Sequence, residues 1–441
     1  MKKETRPRKP KLKRELGLFQ ATLCGVGIIL GAGIYALVGK TAGLAGNAVW
    51  VSFLIAAIVA AFTGLSYAEL SSMFPKSGAE YIYTKKAFGK SIAFLVGWLV
   101  IVSGIIASTA VALGFAGYFA ALFSTPIIPV AIGLLLLSSL LLFCGIKQSV
   151  NVAVIFTIIE AVGLILIIFI GLPYIGSVDY FEMPSFDGVF SAAALIFFAF
   201  IGFEEMVRLS EETKQPKKTI PKALVIAIAV TTIIYMLVGL SAVGVLGWEA
   251  LGASDAPLAD VADAALPGTG GILSIIALFA TANTVLLLLL AASRITYGMA
   301  KAYSLPHILA KIHRKTRTPW IAISTMAVLS ILFVFMGNIE TVANLTNFTV
   351  FITFIIINLS LIRLRYTHPK LKRSFRTPIN IGKFPILPLL GILTSIFLLT
   401  NLDLEIHIYG IVLIVIGVLV QKIMPKNEKS KNKDIQTLPK Y

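Results

Sequence analysis

The chain is poor in the residues that build metal centres and disulfide frameworks. It has two cysteines, Cys24 and Cys144, each inside an apolar segment, and only four histidines among 441 residues. Two isolated thiols exclude a disulfide scaffold and read as packing residues. His307, His313, His368 and His407 fall in loops or at the ends of apolar runs, so no metal and no cofactor is expected. An enzyme would need a nucleophile with a base or a metal cluster, and no such constellation falls within the apolar runs. Charge is scarce as well. Asp, Glu, Lys and Arg make up 13% of the residues, about half of what soluble domains carry.

What is abundant is apolar length, with 57% hydrophobic residues. Apolar runs fall at about 16–38, 47–72, 89–122, 127–143, 151–172, 190–207, 221–247, 268–303, 320–336, 340–362, 384–400 and 406–424. A helix needs roughly 20 apolar residues to cross the hydrocarbon, and most of these runs reach that length. They are continuous, as from Ile155 to Ile170, where barrel strands would alternate apolar and polar residues. The expected fold is therefore an all-α membrane protein with 12 transmembrane helices. The runs at 127–143 and 320–336 are short enough to be tilt-limited or partly re-entrant. The stretch from Leu16 follows a basic leader, Met1 to Arg14, without a small-residue cleavage site, and reads as an uncleaved first span.

The net charge of +17 has a topological reading. With the amino terminus in the cytoplasm, the bases collect on the inner side: the tail at 1–15, then Lys76, Lys85, Lys86, Lys90, Lys147, and the segments 208–222, 301–317, 363–383 and the carboxyl tail from Lys422. Lys40 alone falls outside, and Arg294 lies within a span. The predicted outer loops carry acids: Asp179, Glu182 and Asp187, then Glu249, Asp255, Asp260 and Asp263. The positive-inside rule thus puts both termini in the cytoplasm. No nucleic-acid partner is implied.

Two irregularities recur five spans apart. The first span is interrupted by Gly25, Gly27, Gly31 and Gly33; the sixth is interrupted at Gly202, followed at once by Glu204 and Glu205. Five is odd, so the two groups of five spans enter from opposite sides. An inverted repeat with broken first helices is the pattern of a secondary transporter with a mid-membrane site. The expected division is 1–15 cytoplasmic tail, 16–172 first repeat, 190–366 second repeat, 384–424 helices 11 and 12, and 425–441 cytoplasmic tail.

In the first span, CGVGIILGAGIYALVG, clustered glycines favour unwinding near Ile29 to Gly33, which would free N–H groups for a carboxylate. The competing reading is a close-packing face, since Gly27 and Gly31 form a G-x-x-x-G pair. In the sixth, IFFAFIGFEEMVRLSEE, free carbonyls of Phe198 to Ile201 would accept an ammonium. An acid near mid-bilayer such as Glu204 needs a wet cavity or a partner; Glu205 reads as solvated at the helix end. Glu160 stands in the middle of the fifth span, a position that suits a group taking and releasing a proton, or else a neutral acid bonded to a carbonyl as helix glue. Arg294, seven residues before Lys301, either snorkels to the cytoplasmic side or pairs with Glu69 or an acid of the sixth span, and an inner ion pair is the default expectation. Ser103, Ser108, Thr281, Asn283 and Thr284 are pocket or sodium candidates, though buried hydroxyls often bond their own helix. GIYALVGKT at Gly33 to Thr41 has five residues between its glycines where a phosphate loop needs four, and is set aside.

These residues also carry a family likeness. AELSSMFPKSGAEYIYTKKAFG at Ala68 to Gly89, GVGIILGAGIY in the first span, FFAFIGFEEM with EETKQPKKTIPKA around the sixth, and ASRITYGMAKAYSLP at the end of the eighth stand in order. Over residues 16–366 the chain resembles the amino acid, polyamine and organocation transporter superfamily. The resemblance implies a leucine-transporter-like fold, a 5+5 inverted repeat plus two extra helices. It implies that Ile29, Ala32 and Gly33 present backbone groups to a substrate carboxylate, that Phe198, Phe200 and Ile201 lie at the amine and gate side, and that Glu204 fills an acidic position. Glu160 stands where proton-coupled members carry a lysine, and Ala302-Tyr303-Ser304 replaces an acid and a glycine. The expected function is a secondary amino-acid transporter of the cell membrane, a proton-coupled symporter working by alternating access. Glu160 and Glu204 are the proton candidates; its partners are an amino acid, the proton and membrane lipid. An obligate amino-acid or polyamine exchanger and a sodium symporter are the alternatives.

Overall fold

A computed structural model describes residues 16–74, 79–144, 146–211 and 213–424. The two terminal tails and Lys76 lie outside the described residues, as does part of the 68–89 motif. The chain is an all-α membrane protein. Its helices are α1 (Leu18–Leu30), α2 (Gly33–Ala45), α3 (Val49–Met73), α4 (Ala79–Phe88), α5 (Lys90–Phe123), α6 (Ile127–Cys144), α7 (Ile146–Gly171) and α8 (Phe186–Ile196), then α9 (Pro216–Leu246), α10 (Trp248–Ala253), α11 (Pro257–Ala265), α12 (Gly270–Lys301), α13 (Trp320–Val334), α14 (Ile339–Thr367), α15 (Ile386–Thr400) and α16 (Leu404–Ile423). Backbone polar groups in hydrocarbon must be satisfied within the chain, which is why every long apolar run folds as helix. Among the described residues, nine helical stretches are long and apolar enough to cross a membrane, with α2 and α3 counted as one stretch; α1, α13 and α15 are apolar but shorter.

The centre is built by α5 and α14, whose sides are mostly buried, with α12 against α5 and α9 against α3. α6, α7 and α16 are the least buried of the long apolar helices. So much exposed apolar surface on one chain, Phe19, Leu137, Phe169 and Ile423 among it, is what a multi-pass membrane protein presents. Both cysteines belong to it: Cys24 and Cys144 are exposed, not packed inside as their apolar neighbours suggested. Between α14 and α15 lies a short antiparallel hairpin, β1 (Asn380–Ile381) with β2 (Phe384–Pro385), that the apolar pattern does not announce.

Candidate functional site

Two glycines end helices inside apolar runs. α1 stops at Leu30 because Gly31 takes φ +31° and ψ 173°, and α2 restarts at Gly33. In the second break, α8 ends at Ile196 and tightens into a 3-10 turn over Phe197–Phe200. The backbone is extended at Ile201, turns at Gly202 with φ +125°, and resumes as a 3-10 helix over Phe203–Glu211. A β-carbon at such φ values is strongly disfavoured, so glycine permits both breaks.

The breaks lie against each other. A β-carbon on Gly33 would stand 2.6 Å from Ala199 Cα, and one on Gly202 would stand 3.1 Å from the Ile28 carbonyl oxygen. The close-packing reading of the glycine run applies to other members of it. Gly25 packs on Met206, and a β-carbon on Gly27 would lie 2.8 Å from the Thr157 methyl group.

Three side chains tend the backbone groups that the breaks release. The Ala32 N–H donates to Thr284 Oγ1 at 3.0 Å, and that hydroxyl donates to the Ala280 carbonyl. The Tyr235 hydroxyl stands 2.7 Å from the carbonyl oxygens of both Ile29 and Leu30 and 3.0 Å from that of Ala199. One phenol proton serves one acceptor at a time, so the three carbonyls keep unused acceptor capacity. The Tyr235 ring is fully buried and packs against Phe53 and Phe200. Asn347 Nδ2 donates to the carbonyls of Ala194 and Leu195, just before the second break. Sequence reasoning named Thr284 but missed Tyr235 and Asn347. A phenol and an amide within long apolar runs were the available signal, because such groups need partners when buried.

The residues named from the sequence fall as follows. Ile29, Ala32, Gly33, Phe198 and Phe200 are buried at the crossing of the breaks, and Ile201 and Glu204 beside it are half-buried. The carbonyls of Phe198 to Ile201 are not all free: that of Phe198 accepts from the Ile201 N–H at 3.3 Å, and that of Ala199 from Tyr235. Glu204 Oε2 accepts from the Gly202 N–H at 3.0 Å, so this acid is tied to the turn itself. Glu205 is half-buried, and its N–H donates to the Gly202 carbonyl.

Glu160 lies apart from the crossing, on α7. It is buried, and no hydrogen bond reaches its Oε1, so that oxygen does not act as helix glue. One turn earlier on the same face, Thr157 accepts from Asn283 Nδ2 of α12 at 3.1 Å, and Asn283 Oδ1 is also buried without a hydrogen bond. The Tyr35 hydroxyl of α2 donates to the Glu160 carbonyl at 2.7 Å, which links α7 to the first break. Ser103, Ser108 and Thr281 bond carbonyls of their own helices.

The expected pairing of Arg294 with Glu69 is not formed. Arg294 is exposed, and Glu69 is fully buried between two other bases. Arg365 meets it through Nη2 at 2.5 Å and Nε at 3.0 Å, and Arg373 Nε stands 3.2 Å away. The partners lie about 300 positions along the chain, beyond the reach of local pattern reading.

Comparison with known proteins places the chain in a family. The profile of the amino acid permease family matches residues 16–433. A branched-chain amino acid permease of Bacillus subtilis is 34% identical over 96% of this chain and 95% of its own. A methylthioribose transporter of the same organism is 29% identical over the same shares, and mouse cationic amino acid transporter 4 is 30% identical over 80% of this chain and 60% of its own. The chain belongs to the amino acid permease family, as a multi-pass membrane transporter of amino acids and not an enzyme.

Proposed function

We propose that the chain is a secondary active transporter of the cell membrane that moves an amino acid by alternating access, in symport with protons. Twelve spans carry it: two inverted repeats at 16–172 and 190–366, the pair at 384–424, and both termini in the cytoplasm. The observation that supports this reading is the crossing of the two breaks. The amino-terminal end of α2, from Gly33, offers N–H groups with the positive end of a helix dipole, which suits a carboxylate, while the Ala32 N–H beside it is held by Thr284. The carbonyls of Ile29 and Leu30 at the end of α1, with Phe200 and Ile201 across the crossing, suit an ammonium. An amino acid presents both charges a few ångströms apart, as two facing breaks require.

Glu160 and Glu204 are the two carboxyls we assign to proton exchange. Glu160 has an oxygen without a hydrogen bond beside the Thr157–Asn283 pair, and Glu204 is held on the turn of the second break. The relatives' names set the test panel: branched-chain amino acids, cationic amino acids and methylthioribose. Purified protein in sodium-free liposomes is assayed for uptake with and without an inward proton gradient. Accumulation of an amino acid driven by the gradient is the expected result. Uptake only against internally loaded amino acid makes the chain an exchanger, and uptake only after sodium is restored makes it a sodium symporter.

A further inference from the structure

The loop that follows α14 is basic without interruption: Lys370, Lys372, Arg373, Arg376 and Lys383 occur with no acid between His368 and Pro385. It folds back over the end of α14 to shape an open cavity of about 340 Å³ lined by Arg365, Pro369, Arg373, Arg376 and Lys383. The floor is fixed. Arg365 is buried, held by Glu69, Thr377 and Asn380. Arg373 is half-buried, and its Nη1 and Nη2 donate to the carbonyls of Leu364, His368, Pro369 and Leu371. These two contribute fixed positive charge but have few N–H groups to spare. Burial pulls the Arg373 guanidinium below its ordinary range, and Arg365 and Arg376 add to that shift while Glu69 opposes it.

The rim is different. Arg376 and Lys383 are exposed, and Arg376 gives one N–H group, on Nη2, to the Gly382 carbonyl. Their remaining donors face solvent or the cavity mouth. Among the described residues Glu69 is the only acid paired with any of the four bases, so one carboxylate stands against four cations. Guanidinium forks and an ammonium around a concave space match the oxygens of a phosphate group better than a single carboxylate. The cavity also opens between the ends of two apolar helices, α14 and α15, where a lipid headgroup would sit.

We propose that this cavity is a binding site for a phosphate-bearing anion, filled from the membrane by an anionic phospholipid headgroup or from solution by free phosphate. Its place on the inner face of the membrane rests on the orientation proposed above; the binding does not, and is read without transport.

Full-length protein in detergent is mixed with phosphatidylglycerol, phosphatidylcholine or inorganic phosphate, and the retained ligand is measured by native mass spectrometry. The variants are Arg376→Gln and Lys383→Gln, which leave the Glu69 cluster intact. The control is Lys370→Gln with Lys372→Gln, on the same loop but outside the cavity lining. Preferential retention of phosphatidylglycerol over phosphatidylcholine, lowered about 5-fold by either rim variant and not by the control, assigns the site to the headgroup. Retained phosphate with the same dependence assigns it to the free anion. Equal retention of the two lipids without phosphate binding overturns the proposal, as does an equal loss in rim and control variants, which marks diffuse surface charge.

Discussion

Gly33 packs on Ala199 so closely that a β-carbon on the glycine would stand 2.6 Å from the alanine Cα. Two broken helices therefore meet backbone to backbone at their most irregular points. Three glycines separate the causes. Gly33 is helical, so Gly33→Ala introduces only the collision with Ala199. Gly89 has φ +91° and nothing within 4 Å of a built β-carbon, so Gly89→Ala introduces only backbone strain, about 1–2 kcal/mol. Gly202 has both φ +125° and the Ile28 carbonyl at 3.1 Å. Uptake is expected to fall most in Gly202→Ala, clearly in Gly33→Ala and little in Gly89→Ala. Equal uptake in the first and last variants would show that the contact between the breaks does not matter.

Tyr235→Phe keeps the ring between Phe53 and Phe200 and removes the hydroxyl that bridges α1 to the second break. Buried carbonyls left without a donor cost about 1–3 kcal/mol. The variant is expected to melt at lower temperature and to transport with a raised KM. Unchanged values of both would remove Tyr235 from the site.

The breaks and the helical class were legible because each depends on local chemistry. Continuous apolar length dictates helix, and glycine with an acid just after it signals an irregular turn within a span. The Glu69–Arg365 pair was not legible, because its partners are brought together by the packing of α3 against α14 and by a loop whose path the sequence does not encode locally. The same gap applies to Arg294, whose ion-pair reading rested on position alone: it is exposed, and Glu69 meets other bases. Tyr303, in the stretch Ala302-Tyr303-Ser304 that departs from the acid and glycine the resemblance leads one to expect, adopts φ +58°, a left-handed backbone that a tyrosine tolerates poorly.

Glu160→Gln tests the coupling role directly. The substitution is nearly isosteric and leaves the Glu160 backbone carbonyl, which Tyr35 uses, in place. Uptake driven by a proton gradient is expected to be lost while exchange of labelled for unlabelled substrate persists. If gradient-driven accumulation matches the wild type, Glu160 carries no coupling proton and Glu204 becomes the remaining assignment.

The Glu69 cluster makes a sharper stability prediction than any surface pair. Glu69 is fully buried, accepts from Arg365 and from the Thr377 N–H at 2.8 Å, and forms an ion pair with Arg373. Glu69→Gln leaves the buried Arg365 cation without its counter-charge, a change that costs about 3–5 kcal/mol at buried pairs. Arg365→Met alone strands the acid instead, although Arg373 still meets it, so a smaller loss is expected. The double variant Glu69→Gln with Arg365→Met removes both buried charges together, and because apolar replacement of a whole buried pair is often near neutral, it is expected to melt above Glu69→Gln alone. Thermal unfolding of the three purified proteins measures the order. A double variant no more stable than Glu69→Gln would mean that the cost lies in the lost anchorage of the loop through Thr377, and not in a stranded charge.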